Sequence, residues 1–169
     1  DGGERVSGPA IYVGMSPAAE AKLRDAALRE AEFGPEEYAL RTQGRDLFIL
    51  GGEPRGTLYG VYGLLEDHLG CRWFTPEVSR IPKSDALVIP ALDERVAPVL
   101  EYREPFTMDA FDGDWCARNR MNSSTGRLED HHGGKVRFGS GLFVHTFDVL
   151  MPPSQYFAEH PEYYSLVDG

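Results

Sequence analysis

Apolar residues in the first 97 positions follow patterns that predict a small α+β fold. Short apolar runs bounded by glycine, proline or polar residues predict strands at 10–14, 37–42, 47–50, 71–74 and 86–90, with a hairpin turn at 44–46. An Ala-, Leu- and Glu-rich segment predicts a helix at 18–32, started by Ser16-Pro17. Together with a second helix, this order predicts a sheet covered by two helices.

The stretch 51–76 predicts a turn, the second helix and a strand. One helix face is defined by apolar residues at i, i+3, i+4, i+7 and i+11, namely Leu58, Val61, Tyr62, Leu65 and Leu69. Thr57 is predicted as the N-cap and Gly70 as the C′ residue. Gly60 and Gly63 each cost a helix about 1 kcal/mol relative to alanine. Their presence predicts close contact between this helix and the sheet.

The character of the chain changes after a predicted linker at 91–98. Further strands are predicted at 99–103, 142–144 and 163–167, with helices within 114–121 and 152–160 and a long loop at 122–141. Alternating strands and helices are typical of the opening of a β/α barrel. Only 169 − 97 = 72 residues remain, however, and a complete barrel needs about 250. The prediction is an α+β accessory domain at 1–97 and an incomplete barrel at 98–169.

Composition excludes some classes of function. The net charge of −10 disfavours nucleic acid as a partner, because binding there depends on neutralising phosphates. No apolar run approaches the roughly 20 residues of a membrane span. Gly51-Gly52 lacks the lysine and hydroxyl residue of a phosphate loop, and no cofactor is predicted. Cys71 and Cys116 have no metal-binding spacing, and the sequence leaves their pairing open.

Two motifs carry a resemblance to known proteins. The first comprises Arg55, Gly56, Leu58, Tyr59, Gly60, Leu64, Leu65 and Glu66. It resembles the accessory domain that precedes the catalytic barrel in bacterial beta-hexosaminidases and alpha-glucuronidases. The second, HPEYYSL at 160–166, together with 70–74, resembles a large and mostly uncharacterised bacterial group with the same domain order.

The resemblance implies a glycoside hydrolase whose substrate is a carbohydrate. It implies that the catalytic carboxylates lie beyond residue 169, that this fragment is inactive alone, and that its partner is the remaining barrel of its own chain. A secreted or periplasmic location is also implied. Asp93-Glu94 lies in the predicted linker, so the catalytic acid pair of hexosaminidases is not assigned to it. The alternative is a noncatalytic carbohydrate-binding or structural module.

Four residues are candidates for contact with the sugar. The resemblance implies this role for Arg103, whose alternative is a surface ion pair with Glu101 or Glu104. Asn122 either faces the pocket or caps a helix. His145 follows an apolar run and either meets a sugar hydroxyl or is satisfied by backbone. Trp115 either stacks on a sugar ring or belongs to the core.

A metal site is considered and not predicted. Asp130, His131 and His132 are adjacent, with His145 distant in sequence. Zinc needs three or four ligands in fixed geometry, and adjacent histidines on a strand point to opposite faces. A metal-dependent hydrolase therefore ranks below both the glycoside hydrolase and the noncatalytic module.

Overall fold

A four-stranded mixed sheet is the centre of this computed structural model, which describes residues 8–167. Six strands form within that range: β1 (Ile11–Val13), β2 (Tyr38–Gln43), β3 (Asp46–Gly51), β4 (Arg72–Trp73), β5 (Ser79–Arg80) and β6 (Asp93–Val96). The sheet order is β1-β3-β2-β6, with β1 parallel to β3 and the other pairs antiparallel. β4 and β5 form a separate antiparallel ribbon. The predicted hairpin is confirmed as β2 and β3.

Helical segments in the described range are mostly short. They are α1 (Pro17–Lys22), α2 (Ala26–Arg29), α3 (Gly56–Gly63), α4 (Gly113–Arg118), α5 (Phe147–Leu150) and α6 (Pro153–Tyr156). A π-helical turn at Leu64–His68 extends α3. Single 3₁₀ turns lie at Asp109–Phe111, Asp130–His132 and Pro161–Tyr163. The fold is therefore mixed α/β.

Both faces of the sheet are covered, because β2 and β3 send alternate apolar side chains into two cores. One core joins the sheet to α3 and contains Tyr38, Leu40, Leu47, Ile49, Tyr59 and Leu64. The other joins it to α1 and α2 and contains Ala39, Phe48, Leu50, Ala19, Leu23 and Leu28. The strand alternation that predicted the hairpin thus also determines where the helices pack.

α3 approaches the sheet through its glycines, as the sequence predicts. A Cβ on Gly60 would lie 2.8 Å from Ile49 Cγ2, and one on Gly63 would lie 2.4 Å from the Tyr38 hydroxyl oxygen. The predicted apolar face is divided: Val61 and Leu69 pack on the core beside the sheet, whereas Leu58 and Tyr62 pack on a third core around Trp115. α3 therefore contacts protein on more than one side.

The predicted N-cap of this helix is wrong by two residues, because Thr57 lies inside α3. α3 begins at Gly56, and Arg55 occupies the N-cap position without a side-chain capping bond. The hydroxyl of Thr57 donates to the carbonyl oxygen of Gly51 at 3.1 Å, so it ties the helix to the end of β3. Gly70 has φ +72°, the left-handed backbone expected after a helix end.

The predicted helix at 18–32 is divided into α1 and α2. Gln43, at the end of β2, accepts the Arg24 backbone N–H at 2.6 Å and donates to the Lys22 carbonyl at 2.9 Å. Asp25 then caps α2 by accepting the Leu28 N–H at 3.0 Å. A side chain distant in sequence therefore replaces the hydrogen bonds that would continue α1.

Several strand predictions are wrong. The predicted linker contains β6, which pairs with β2, whereas 86–90, 99–103, 142–144 and 163–167 form no strand. In the segment 99–103, the backbone N–H of Arg103 donates to the side-chain oxygen of Asn122 at 2.9 Å. This bond to a side chain takes the place of a bond to a neighbouring strand.

Contacts divide the chain into two compact units, one ending at Val136 and the other beginning at Arg137. In the first, the third core brings α4 and Leu128 against α3. In the second, Tyr164 packs edge-on against Phe147 and Phe157, and its hydroxyl donates to the Met151 carbonyl at 3.0 Å. The division into domains at 1–97 and 98–169 stays a prediction.

Neither a closed barrel nor a membrane-crossing helix occurs in the described part of the chain. The strands form one four-stranded sheet and one two-stranded ribbon. The helices there are too short or too polar to cross a bilayer.

We expect Gly63→Ala to destabilise the fold by about 1–3 kcal/mol, because the added methyl overlaps the buried ring of Tyr38. The gain in helix propensity, about 1 kcal/mol, offsets only part of this cost. Urea unfolding gives the free-energy difference. Gly34→Ala is the matched control, since its methyl would meet only Glu37 side-chain atoms at 3.7–3.8 Å. Equal stability of the two variants would contradict the close packing of α3.

Candidate functional site

Arg103 is held firmly in the first unit. Its guanidinium donates from Nε to the Arg120 carbonyl at 2.8 Å and from Nη1 to the Leu100 carbonyl at 2.6 Å. Its carbon atom Cζ lies 5.8 Å from the centre of the Tyr59 ring. The predicted alternative, an ion pair with Glu101 or Glu104, is not among its described contacts in residues 8–167. The guanidinium plane is therefore fixed by the protein itself.

Glu36 joins Arg103 to Asn122 and Arg55. Its carboxylate accepts from Arg103 Nη2 at 2.7 Å on Oε2, and from Arg55 Nε at 2.7 Å and Asn122 Nδ2 at 2.9 Å on Oε1. The amide of Asn122, which is 1% exposed, also donates to the Glu101 carbonyl at 2.6 Å. The Glu36 side chain is only 11% exposed, so its carboxylate has lost most of its hydration on folding. Hydrogen bonds from two guanidiniums and an amide compensate for that loss.

Two acidic residues hold the side chain of Arg120. Its Nη2 lies 2.5 Å from Glu66 Oε2 and its Nη1 lies 2.9 Å from Asp67 Oδ2. The backbone of Arg120 has φ +55°, a left-handed conformation that costs a non-glycine residue about 1–3 kcal/mol. The ion pairs and the third core hold this residue in place and so fix the segment between Arg103 and Asn122.

Glu104 closes the loop that follows Asn122. Its carboxylate accepts the Thr125 hydroxyl at 2.6 Å, the Ser124 N–H at 2.8 Å and the Tyr102 hydroxyl. Burial alone would raise the pKa of this carboxyl, but the hydrogen bonds from Thr125, Tyr102 and two backbone N–H groups lower its pKa to about 2. Glu104 is therefore ionised across the physiological range and acts as an acceptor.

Two depressions flank Arg103 and Asn122. One of about 400 Å³ is lined by residues that include Pro35, Glu36, Leu100 and Asn122. One of about 210 Å³ is lined by residues that include Tyr38, Tyr59, Arg103 and Arg120. Pro98 lines both. A third depression, about 410 Å³, lies beside the β2–β3 turn and shares no lining residue with them.

The other two candidate residues lie elsewhere. Trp115 is 9% exposed in the third core, and its Nε1 donates to the Trp73 carbonyl at 3.1 Å. His145 belongs to the second unit, where it is exposed and has φ +55°. Arg103 and Asn122 are thus brought together, whereas Trp115 is a core residue and His145 is part of a different unit.

Asp114, rather than Asp130, joins the adjacent histidines in the cluster that could hold a metal. The Nδ1 of His132 accepts the Glu129 backbone N–H at 3.0 Å, so the proton of the neutral ring is on Nε2. That nitrogen lies 2.8 Å from Asp114 Oδ1 and donates to it. A metal on Nε2 would displace this proton and place one on Nδ1, against the Glu129 N–H. The geometry favours a structural hydrogen bond over a metal ligand.

Both cysteines are free and buried. The thiol of Cys116 donates to the Ala110 carbonyl at 3.0 Å. Burial, with the nearby Asp112 and Glu104 carboxylates, raises the pKa of this thiol to about 11. A thiol with this pKa is a poor nucleophile at neutral pH.

The sequence prediction missed Glu36, the residue at the centre of the site. Glu36 and Glu37 are adjacent acids before β2, and nothing in the pattern separates them. In the structure Glu36 is buried, whereas Glu37 is an intermediate residue paired with Arg95 at 2.5 Å. Arg55 did carry a signal, since it begins the motif of the family resemblance.

We expect Glu104→Gln to weaken the pH dependence of stability in acid. Because the carboxyl titrates near 2 when folded and near its ordinary 4.5 when unfolded, its contribution is full above about pH 4.5 and is lost as pH falls toward 2. The free energy of unfolding of the variant should be lower by about 1–3 kcal/mol at neutral pH, and by less at about pH 3. Urea unfolding at both pH values measures this. Glu53→Gln, at an exposed position, is the control, and equal losses in both variants would contradict the role of Glu104.

Comparison with known families gives one match. No curated protein and no solved structure matches the chain. A family described as a domain of unknown function (DUF4838) matches residues 73–169, more than half of the sequence. The matched region includes Arg103, Asn122, Trp115 and His145, whereas Glu36 and Arg55 precede it. The chain therefore belongs to the family of this domain of unknown function, DUF4838.

Proposed function

We propose that this chain is part of a carbohydrate-active protein that resembles a glycoside hydrolase. In this proposal the residues up to Val136 contribute to carbohydrate binding and carry no hydrolytic acid of their own. The observation that carries the proposal is the convergence of Arg103 and Asn122, 19 residues apart in sequence, on one buried carboxylate between two depressions. The resemblance of the motif at 55–66 adds the carbohydrate class.

The chemistry of the smaller depression suits a sugar. Val96 and Pro98 supply apolar surface there, and Arg103 and Arg120 supply N–H donors. A guanidinium has five N–H groups, and each terminal nitrogen of Arg103 carries one hydrogen beyond the bond described for it. Hydrogen-bond donors beside an apolar wall are typical of small-molecule sites.

The local charge favours an uncharged ligand. Glu36, Glu66 and Asp67 balance Arg55, Arg103 and Arg120 through direct ion pairs. The whole chain carries a net charge of −10, which repels anions. A neutral, hydroxyl-rich ligand can accept hydrogen bonds here without adding to that repulsion.

Three of the described carboxyls do not suit the role of a glycosidic general acid. A glycosidic general acid needs a raised pKa. Each described carboxyl with a resolved shift, on Glu37, Glu104 and Asp114, instead has a lowered pKa, mainly through hydrogen bonds. Glu36 is bound by two guanidiniums. These features support binding rather than cleavage by this part of the protein.

Exposed apolar side chains support a further partner. In the second unit these include Phe143, Phe147, Leu150, Phe157 and Leu166. Apolar side chains exposed in this number suit a surface that other protein covers. In this proposal that partner is the rest of a barrel domain, as the family resemblance implies.

A purely structural module is the second candidate. It is favoured by the amide of Asn122, both of whose hydrogens are bonded within the protein. In that case Arg103 and Asn122 only fasten the segment 98–122 to the sheet and α3, and no sugar binds.

We expect Arg103→Lys to lose affinity for a glycoside by about tenfold or more while remaining folded. Lysine keeps the charge beside Glu36 but loses the planar fork of donors. Affinity is measured by calorimetry with three aryl glycosides: a glucoside, an N-acetylglucosaminide and a glucuronide. The two neutral glycosides should bind more tightly than the negatively charged glucuronide. Arg45→Lys, in the distant β2–β3 turn, is the matched control.

The same glycosides test cleavage, since release of the aryl group is followed by absorbance. We expect the chain to bind without turnover. Turnover by this chain would show that it carries its own catalytic acids. Failure of the unsubstituted chain to bind any of the three would favour the structural module.

A further inference from the structure

Glu36 belongs to a different part of the chain from the residues it binds. It lies in the turn before β2, where the Gly34 carbonyl accepts the Glu37 N–H at 3.0 Å. Arg103 and Asn122 lie 67 and 86 residues further along. The turn before β2 therefore supplies, from outside the region matched by the family, the acid that these two residues share.

Glu36 accepts one of the three hydrogen bonds that hold the Arg103 guanidinium. The guanidinium is held at Nη2 by Glu36, at Nε by the Arg120 carbonyl and at Nη1 by the Leu100 carbonyl. Two of these acceptors are neutral carbonyls, and Glu36 is the charged one. All three bonds have a charged donor, but only the bond to Glu36 joins opposite charges, so its loss would leave a partly buried guanidinium without its partner charge.

Glu36 also bridges two positively charged side chains. Arg55 and Arg103 bind different oxygens of the same carboxylate, each at 2.7 Å. Without the negative charge these guanidiniums would repel each other in a partly buried region, where screening by water is weak. One N–H of the Asn122 amide also donates to this carboxylate, at 2.9 Å on Oε1.

We infer that Glu36 is the positioning residue of the proposed carbohydrate site, holding Arg103 in the orientation that meets the ligand and fixing the buried Asn122 beside it. This inference rests on the proposed function. Glu36 lines the larger depression but need not touch the sugar, since both of its oxygens are occupied by protein donors. Its effect on binding passes through Arg103.

The test is Glu36→Gln, which keeps the shape of the side chain and removes its charge. We expect affinity for the glycoside bound most tightly by the unsubstituted chain to fall by about tenfold or more, or about 1.4 kcal/mol. Glu37→Gln is the matched control, because Glu37 is the next residue in the chain and pairs with Arg95 and not with Arg103. That variant should bind within about twofold of the unsubstituted chain.

Two further readouts separate positioning from stability. In ¹H–¹⁵N spectra of the arginine side chains, the Nε–H of Arg103 should exchange with water faster in Glu36→Gln than in Glu37→Gln. In an Arg103→Lys background, Glu36→Gln should cause little additional loss of affinity, because the two changes act through one contact.

The outcomes distinguish the two proposals. Absence of binding by the unsubstituted chain would overturn the proposed function. Binding that Glu36→Gln leaves unchanged would overturn the positioning role alone, as would unchanged exchange at Arg103. Additive losses in the double variant would also overturn it, since they would mean that Glu36 acts independently of Arg103.

Discussion

The close contact between α3 and the β2–β3 hairpin is the constraint on which the rest of the first unit depends. Gly60 and Gly63 leave no room for even a methyl group against Ile49 and Tyr38. A helix this close to the sheet has its other sides free to contact the segments that follow. Leu58 and Tyr62 use one of those sides to build the third core. By setting the position of α3, the glycines also set the position of the residues between 110 and 128 that pack against it in the third core.

The contact between α3 and the β2–β3 hairpin also determines which charged side chains meet. Arg55, just before α3, meets Glu36, just before β2, because the two chain segments converge where the helix begins. Glu66 and Asp67, in the turn that extends α3, meet Arg120. The hydroxyl of Tyr59, between them in sequence, donates to the Met121 carbonyl at 2.9 Å. Tyr59 in α3 and the two acids in its π-helical extension thus hold the segment 103–122 directly, whereas Arg55 is linked to it only through Glu36.

Features that depend on neighbours in sequence could be predicted. Alternation of apolar residues gave the hairpin, and the cost of glycine in a helix gave the close contact of Gly60 and Gly63 with the sheet. Arg103 and Asn122 were singled out by motif, and they do lie together. Their use as sugar contacts stays a prediction, as does that of Trp115 and His145.

The errors arise where a distant side chain replaces a backbone partner. Gln43 ends α1, and Asn122 takes the N–H of Arg103 that a strand would have used. Glu36 and Glu37 look alike in sequence, and only the fold makes one of them buried and the other an outer ion pair. Patterns with periods of two or 3.6 residues carry no information on such long-range bonds.

The proposed carbohydrate site, being assembled by these bonds, is ordered before any ligand arrives. Arg103, the fork-shaped donor at its centre, is anchored at three nitrogens, so it does not lose rotamer freedom again on binding. The desolvation of its charge is likewise compensated during folding by Glu36. Binding energy from a few additional hydrogen bonds can then appear as affinity. In the proposed function, recognition depends on this preorganisation, because ion pairs balance the charges around Arg103.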